Sequence, residues 1–224
     1  MIHIEGLNKI YNEKQANAYT ALSEIDLHIN PAETVVLKGV SGSGKSTLLS
    51  IIASLIKPSS GELIVDGEQI AKLPDSHASH FRNSHIGFIF QAYNLFDELS
   101  VKDNVALPLI VTGVSQKGID EKVQQAMEIA HIGHKQDQSV QDLSGGEKQR
   151  CAIARALVHS PKIILCDEPT ANLDRENSLK FIETLKQFKA LGKTVVIATH
   201  DPLFDGLETV DRTIVIEDGH IVTS

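Results

Sequence analysis

The sequence predicts an α/β fold: a parallel-sheet core, an N-terminal antiparallel β-subdomain and an inserted α-helical subdomain. The continuous apolar runs at residues 35–37, 163–166 and 194–198 are typical of parallel strands that are buried on both faces. Residues 22–29 alternate between apolar and other side chains, as strands of a half-exposed antiparallel sheet do. From residue 119 to residue 130, apolar side chains recur at helical spacing, which predicts the helical subdomain.

Other segments extend this prediction in chain order. Residues 62–65 run into an Asp-Gly turn and predict another half-exposed strand, and residues 86–90 predict a buried one. Near the C-terminus, residues 213–222 predict a closing hairpin. Five apolar residues before Gly192 predict an amphipathic helix: Leu179, Ile182, Leu185, Phe188 and Leu191.

Composition narrows the class of protein. The chain has 224 residues, 42% of them hydrophobic, and a formal net charge of -8. This length suffices for one core with an inserted subdomain. The apolar run around residues 48–56 is far shorter than the roughly 20 residues of a bilayer span, and the N-terminus lacks a signal-peptide pattern, so we expect a cytoplasmic protein. Since no long block of Lys and Arg is present, we do not expect nucleic acid as a partner.

Residues 39–47 have the spacing G-x-x-x-x-G-K-[ST] of a phosphate-binding loop, between an apolar strand and a helix. The loop amides and the positive end of the helix would hold the α and β phosphates of a nucleoside triphosphate. Lys45 would reach the β and γ oxygens, and the Ser46 hydroxyl would ligate Mg²⁺. A flexible Gly/Ser loop is the alternative, and the strand and helix flanks disfavour it. The predicted nucleotide-binding residues of the loop are Gly39, Ser41, Gly42, Ser43, Gly44, Lys45, Ser46 and Thr47.

A second phosphate-facing element lies at residues 143–150, with the sequence LSGGEKQR. Ser144 is a helix cap, and Gly145 and Gly146 expose the first backbone amides of that helix. Because the first loop already wraps one triphosphate, we expect the second element to serve the γ phosphate held by another copy of the chain. A plain capped helix would be the preferred interpretation if this octamer stood alone.

Polar residues follow the buried strands. Two adjacent acids end the strand at 163–166, where Asp167 would hold Mg²⁺ and Glu168 would orient and deprotonate the attacking water. The next strand delivers His200 to the same edge of the sheet, where it would donate to the γ phosphate. Gln91 follows the strand at 86–90 and is well placed to face a ligand. A structural His and a strand-end Gln bonded to backbone are the alternatives.

Taken together, these motifs resemble the nucleotide-binding subunit of an ATP-binding cassette (ABC) transporter over nearly the whole chain. In that family's pattern, residues 39–47 are the Walker A loop, residues 143–150 are the signature, and residues 163–168 are the Walker B strand with the catalytic base. The remaining matches are the Q-loop residue Gln91, the D-loop at residues 171–174 and the switch histidine His200. One departure is Ala32, where the family often has Gly, and we expect it to alter only a turn.

The resemblance implies a P-loop NTPase with a RecA-like core at residues 1–91 and 161–224 and a helical subdomain at 92–160. It implies ATP hydrolysis in a homodimer that encloses two ATP molecules, with separately encoded membrane-spanning partners at the cytoplasmic face of the inner membrane. Exposed apolar side chains at residues 93–96 are expected to contact those partners. The implied catalytic residues are Glu168, His200, Gln91 and Lys45. The implied metal ligands are Ser46, Gln91 and Asp167. The resemblance also implies that Asp174 contacts the nucleotide. Tyr11, which spacing alone favours as a packing residue, would stack on the base.

Within the family, residues 90–95 and 104–109 are similar to the lipoprotein-releasing and macrolide-efflux ATPases. Cell-division ATPases that act on a membrane partner without transport have a similar signature and remain an alternative. A soluble mechanical ATPase would separate the motifs by a long coiled coil, whereas no heptad run separates Gln91 from Leu143. A small-molecule kinase would share the phosphate-binding loop but would leave the octamer and His200 unexplained.

Overall fold

The fold is known from a computed structural model that describes residues 1–223. A four-stranded antiparallel sheet has the strand order β2-β1-β4-β5. Its strands are β1 (Ile2–Tyr11), β2 (Tyr19–Ile29), β4 (Ser60–Val65) and β5 (Glu68–Gln69). This sheet is the predicted N-terminal β-subdomain.

A six-stranded sheet forms the centre of the molecule, in the order β10-β9-β3-β8-β7-β6. Its strands are β3 (Thr34–Lys38), β6 (Ile86–Ile89), β7 (Ile163–Asp167), β8 (Thr194–Thr199), β9 (Arg212–Glu217) and β10 (His220–Thr223). All pairs are parallel except β9 and β10, which form the predicted closing hairpin. The carboxyl ends of β3, β7 and β8 therefore meet at one edge, which is where ligands bind in open α/β sheets.

The helices pack on both faces of the central sheet. They are α1 (Lys45–Ile52), α2 (Asp75–His85), α3 (Val101–Ile110), α4 (Gln116–Ile129), α5 (Gly145–Leu157) and α6 (Arg175–Ala190). In the described part of the chain, none is both long and apolar enough to cross a bilayer. Helices α3 to α5 lie within the segment 92–160 that we assign to the helical subdomain; the boundaries of that division stay a prediction.

Two hydrophobic clusters share the central sheet. Because successive side chains on a strand point to opposite faces, Ile164 and Cys166 contribute to the cluster with α3 to α6. Ile163 and Leu165 contribute to the other cluster, with α1 and the antiparallel sheet. The continuous apolar run of β7 thus supplies both clusters at once, and this burial on two faces fixes the register at which the strand presents Asp167.

The buried face of α6 differs from the predicted one. Phe181, Ile182, Leu185 and Phe188 are buried, but Leu179 and Leu191 are 49% and 53% exposed. A run spaced by three residues drifts by about 60° per step around a helix of 3.6 residues per turn. The two ends of the predicted run therefore leave the face on which its middle lies.

Ala32 occupies the turn before β3, as expected, and its φ of 59° lies in the left-handed region. Its amide donates to Thr194 Oγ1 at 2.9 Å, which holds it in this conformation. A non-glycine residue in the left-handed region destabilises the folded state by about 1–2 kcal/mol. Glycine avoids this cost, but it also raises the conformational entropy of the unfolded chain, which offsets part of the gain. Ala32→Gly should therefore raise the free energy of unfolding by about 0.5–1 kcal/mol in urea titrations. Ala16→Gly, at an exposed position outside the left-handed region, is the control; equal effects of the two variants would contradict this explanation.

Candidate nucleotide site

The phosphate-binding loop joins β3 to α1, as predicted. Gly44 precedes α1 with φ 108° and supplies no side-chain cap, so the first helical amides remain available to an anion. A Cβ atom at Gly44 would lie 2.7 Å from the carbonyl oxygen of Ala21. Only glycine can therefore bring the loop this close to β2 and start the helix in this direction.

Lys45 lies inside the loop and is 5% exposed. Its Nζ donates to the carbonyl oxygens of Gly39 at 2.7 Å and Val40 at 2.9 Å. Burial lowers the pKa of Lys45, while nearby Glu168 and Asp167 act in the opposite direction. The ammonium group is thus held among loop oxygens at a position from which a phosphate can compete for it.

Ser46 and Asp167, which are 121 residues apart in sequence, meet at the sheet edge. Ser46 Oγ donates to Asp167 Oδ1 at 2.8 Å. Burial raises the pKa of Asp167, the Ser46 hydrogen bond opposes that rise, and Glu168 adds to it. A cation bound here would favour the ionised carboxylate. Hydroxyl and carboxylate oxygens are hard ligands of the kind Mg²⁺ prefers, so the pair fits this ion.

Glu168 follows β7 with φ 44°, in the left-handed region. Its backbone amide donates to the carbonyl of Ala198 at 2.8 Å, which extends the pairing of β7 with β8 by one residue. Its Oε2 accepts from Thr199 Oγ1 at 3.1 Å, and its Oε1 forms a 2.8 Å hydrogen-bonded pair with His200 Nδ1. The predicted base and the predicted switch histidine are therefore in direct contact.

A cavity of about 280 Å³ opens above these groups. It brings together most of the predicted site: Ser41, Gly42, Gly44, Lys45, Ser46, Thr47, Gln91, Glu168 and His200. Gly39 and Ser43 do not line this cavity: Gly39 borders a neighbouring one together with His200, and Ser43 is buried, its carbonyl accepting from the Gly219 amide at 3.1 Å. Asp167 joins the site through its bond to Ser46. The D-loop residue Asn172 donates to the Gln91 carbonyl at 2.9 Å, which leaves the Gln91 side chain at the cavity.

Tyr19 also lines this cavity, and we did not predict it from the sequence. It pairs with Tyr11 across β1 and β2, and its hydroxyl donates to the Gly42 carbonyl at 3.4 Å. Tyr11 is half-exposed, and the ammonium group of Lys9 lies 4.9 Å from its ring centroid. Stacking of Tyr11 on a base stays a prediction, with Tyr19 as its neighbour. Without a prediction that residues 2–11 and 19–29 pair as strands, no signal in the sequence placed Tyr19 at the cavity.

The signature begins α5. Ser144 caps the helix: its Oγ accepts from the Glu147 amide at 3.4 Å, and the Glu147 carboxylate accepts from the Ser144 amide at 2.8 Å. This backbone hydrogen bond lowers the pKa of Glu147. Ser144 and Gly145 are exposed and Gly146 is buried; none of the three lines the cavity beside Lys45. This chain thus presents its signature away from its own phosphate-binding loop.

Asp174 caps α6, and its Oδ1 accepts from the backbone amide of Asn177 at 2.8 Å. That bond lowers the pKa of Asp174. In this chain, its carboxylate serves the helix cap. A contact of Asp174 with nucleotide stays a prediction.

The comparisons with known proteins point to one family. The ABC transporter family model matches residues 22–171. The bacitracin export ATP-binding protein BceA of Halalkalibacterium halodurans is 38% identical, covering 100% of this chain and 87% of its own. The lipoprotein-releasing system ATP-binding protein LolD of Pseudoalteromonas translucida is 38% identical over 95% of this chain and 89% of its own.

A similar solved structure is a dimeric post-hydrolysis state of the ATP-binding cassette MJ0796 bound to ADP and Pi. It has a TM-score of 0.91 and 36% identity, and the match covers 100% of this chain and 97% of that one. A second structure of dimeric MJ0796, described as a bacterial ABC transporter cassette, has the same TM-score and identity. With the fold, the loop and the family model in agreement, the chain belongs to the ABC transporter family, as one of its ATP-hydrolysing ATP-binding subunits.

Proposed function

We propose that this subunit binds ATP with Mg²⁺, closes as a homodimer around two ATP molecules, and transmits this closure to separately encoded membrane-spanning subunits. The observation that carries the proposal is the separation within one chain between the cavity beside Lys45 and the exposed signature at Ser144. A second copy placed head to tail would bring its signature to the γ phosphate. The dimeric MJ0796 structures, at 36% identity, support dimerisation.

The hydrolytic step follows from the groups at the cavity. Glu168 accepts a proton from a water molecule as the water oxygen attacks the γ phosphorus. The bond from the γ phosphorus to the bridging oxygen breaks, and ADP and phosphate are the products. Thr199 and His200 hold the two carboxylate oxygens, so that the base keeps a fixed direction. Lys45 and the loop amides stabilise the negative charge on the phosphates.

The proposed metal ligands are Ser46 and Asp167, with Gln91 at the rim of the same cavity. Mg²⁺ would neutralise charge on the β and γ phosphate oxygens when it is bound. The Ser46 hydroxyl, which donates to Asp167 in this structure, would turn its lone pairs to the ion. Asp167 would then remain ionised despite its burial.

A large groove supports docking on a membrane partner. It has a volume of about 870 Å³ and lies between α2, the end of α3 and the end of α5. Apolar side chains, including Phe88, Phe90 and Val111, line it. Among the described residues that line it, the charged ones are all basic: Arg82, Lys122 and Arg155. His80 and His159 also line it, and burial lowers the pKa of His159 to about 4, so that this ring is neutral.

We name this surface the docking groove. Because the chain has a net charge of -8, a basic groove is a local exception that favours a partner segment with apolar and acidic side chains. The groove adjoins residues 93–96, where we expected the contact: Arg155 donates to the carbonyls of Tyr93 and Asn94. Phe96 is exposed there, whereas Leu95 packs against the core.

The names of the relatives indicate which transport process the chain would serve. LolD belongs by its name to a lipoprotein-releasing system, and BceA to bacitracin export. We therefore propose that the chain acts at the cytoplasmic face of the membrane in lipoprotein release or in macrolide or peptide efflux. ATP hydrolysis would then be coupled to translocation.

A co-purification experiment tests this proposal. Tagged protein extracted with native membranes in mild detergent should retain stoichiometric membrane-spanning subunits. Val111→Asp should lose them, since it adds a negative charge to an 81% exposed apolar side chain at the groove. Val222→Asp, at a 51% exposed position on β10, is the matched control.

The two kinds of failure are separable. If no membrane-spanning protein accompanies the wild type, the transport proposal is wrong. If Val111→Asp retains the subunits as well as Val222→Asp does, docking takes place elsewhere on the surface.

A further inference from the structure

Helix α5, which carries the signature at its first turn, is tied to the segment that carries the catalytic base of the same chain. This segment, residues 168–177, begins at Glu168 and ends in the first turn of α6. In the proposed dimer, the two ends of this connection serve different nucleotides. The signature faces the nucleotide of the partner copy, and Glu168 faces the nucleotide of its own chain.

The first tie is Gln149, one turn into α5 and 3% exposed. Its Nε2 donates to the carbonyl oxygen of Pro169 at 3.0 Å, and this bond is buried. Pro169 directly follows Glu168, so the bond fixes the backbone next to the base. A displacement of α5 would leave a buried carbonyl without a donor, which is costly.

The second tie is Asn177, which bonds in two directions. Its Oδ1 accepts from Arg150 Nη1 on α5 at 3.3 Å. Its Nδ2 lies 3.0 and 3.1 Å from the carboxylate oxygens of Asp174 and donates to them. One side chain thus connects the signature helix with the end of the D-loop.

The Asn177 side chain also lies directly against the signature glycine Gly146. A Cβ atom at Gly146 would be 2.5 Å from Asn177 Cγ and still closer to its Oδ1. No side chain fits at position 146 unless Asn177 moves. Glycine at position 146 therefore leaves the room in which Asn177 forms its link within the same chain, independently of any approach to a phosphate.

From these contacts we infer that Gln149 and Asn177 are positioning residues that couple the two nucleotide sites of the dimer. They transmit the docking of the signature on the partner's γ phosphate to the Pro169 backbone and the D-loop, and so to Glu168. This inference rests on the proposed ATP-bridged homodimer. It assigns to Gly146 the role of making room for the Asn177 link.

The test is a double-mutant cycle of Gly146→Ala and Asn177→Ala. Asn177→Ala should lower kcat by about tenfold, because it removes the bonds that connect α5 with the D-loop and so leaves the base less well positioned. Its binding of a fluorescent ADP analogue as a monomer should be unchanged. The dependence of turnover on ATP concentration should lose cooperativity relative to the wild type. Glu183→Ala, at an exposed position of the same helix, is the control and should behave like the wild type in all three measurements.

The cycle gives opposite expectations for the two explanations of Gly146. If Asn177 is what excludes a side chain there, Gly146→Ala should be strongly impaired alone yet add less than twofold to the loss in the Asn177→Ala background. A full additional loss would mean that Gly146 serves only the partner's phosphate, and would overturn this assignment. Gln149→Leu should reproduce the kcat and cooperativity changes of Asn177→Ala; unchanged cooperativity in both would overturn the coupling role.

Failure of this inference can be told from failure of the proposed function. In a Glu168→Gln background, light scattering with ATP reports whether the dimer forms at all. Absence of that dimer contradicts the proposed function. If that dimer forms, but Asn177→Ala with Glu168 intact keeps the ATP cooperativity of wild-type turnover, only the coupling is contradicted.

Discussion

Replacing Glu168 by Gln should lower ATP turnover by about 10²- to 10⁴-fold, because the amide cannot accept a proton from water. The size of the side chain and much of its hydrogen bonding are kept, including an acceptor oxygen for Thr199 or His200. ATP affinity should change little, since the loop around Lys45 holds the phosphates. The expected state is therefore a dimer trapped with ATP.

Steady-state phosphate release measures this effect, and Glu208→Gln at an exposed site is the matched control. The control should hydrolyse ATP at the wild-type rate. If Glu168→Gln stays within about threefold of the wild type, against the expected 10²-fold or greater loss, Glu168 is not the base. The neighbouring Asp167 would then need re-examination as more than a metal ligand.

Replacing Lys45 by Ala should abolish ATP binding at micromolar nucleotide. The ammonium group is nearly buried and is bonded to the carbonyls of Gly39 and Val40. Charge-assisted bonds of this kind contribute about 1.5–3 kcal/mol each, so losing those to the β and γ oxygens should weaken affinity at least 100-fold. Removal of the same group also loosens the loop.

Isothermal titration with ATP and Mg²⁺ measures the affinity of Lys45→Ala. Lys186→Ala is the matched control, since it removes an exposed lysine from α6 that pairs only with Glu183 among the described residues. We expect the control to bind ATP as the wild type does. Unchanged affinity of Lys45→Ala would mean that the loop is not the nucleotide site.

Much of the fold was predictable because a strand that is buried on both faces has a continuous apolar sequence. The runs of β3, β7 and β8 are apolar at nearly every position, and they form adjacent parallel strands of the central sheet. Helix α2 was not predicted, since only Ala78 and Phe81 of its 11 residues are buried and the rest is polar. The sequence of such a helix shows almost no apolar residues recurring at helical spacing.

The site was predictable to the extent that strand ends and motif spacing determine it. The meeting of Ser46 with Asp167, and of Glu168 with His200, follows from the shared edge of parallel strands. Tyr19 at the cavity was not predicted, because the pairing of β1 with β2 that brings it there depends on irregular register. The contact of Asn177 with Gly146 could not be predicted either, since nothing in the spacing of residues 146 and 177 indicates contact.

The central claim is that ATP bridges two copies through the signature of each. Multi-angle light scattering of Glu168→Gln with ATP and Mg²⁺ tests it most directly, with Glu168→Gln, Ser144→Arg as the paired variant. We predict that the 24.4 kDa chain doubles in mass with ATP, and that adding Ser144→Arg keeps it monomeric while its monomer still binds nucleotide. A single variant that binds ATP but stays monomeric, or a double variant that dimerises equally well, would contradict the claim.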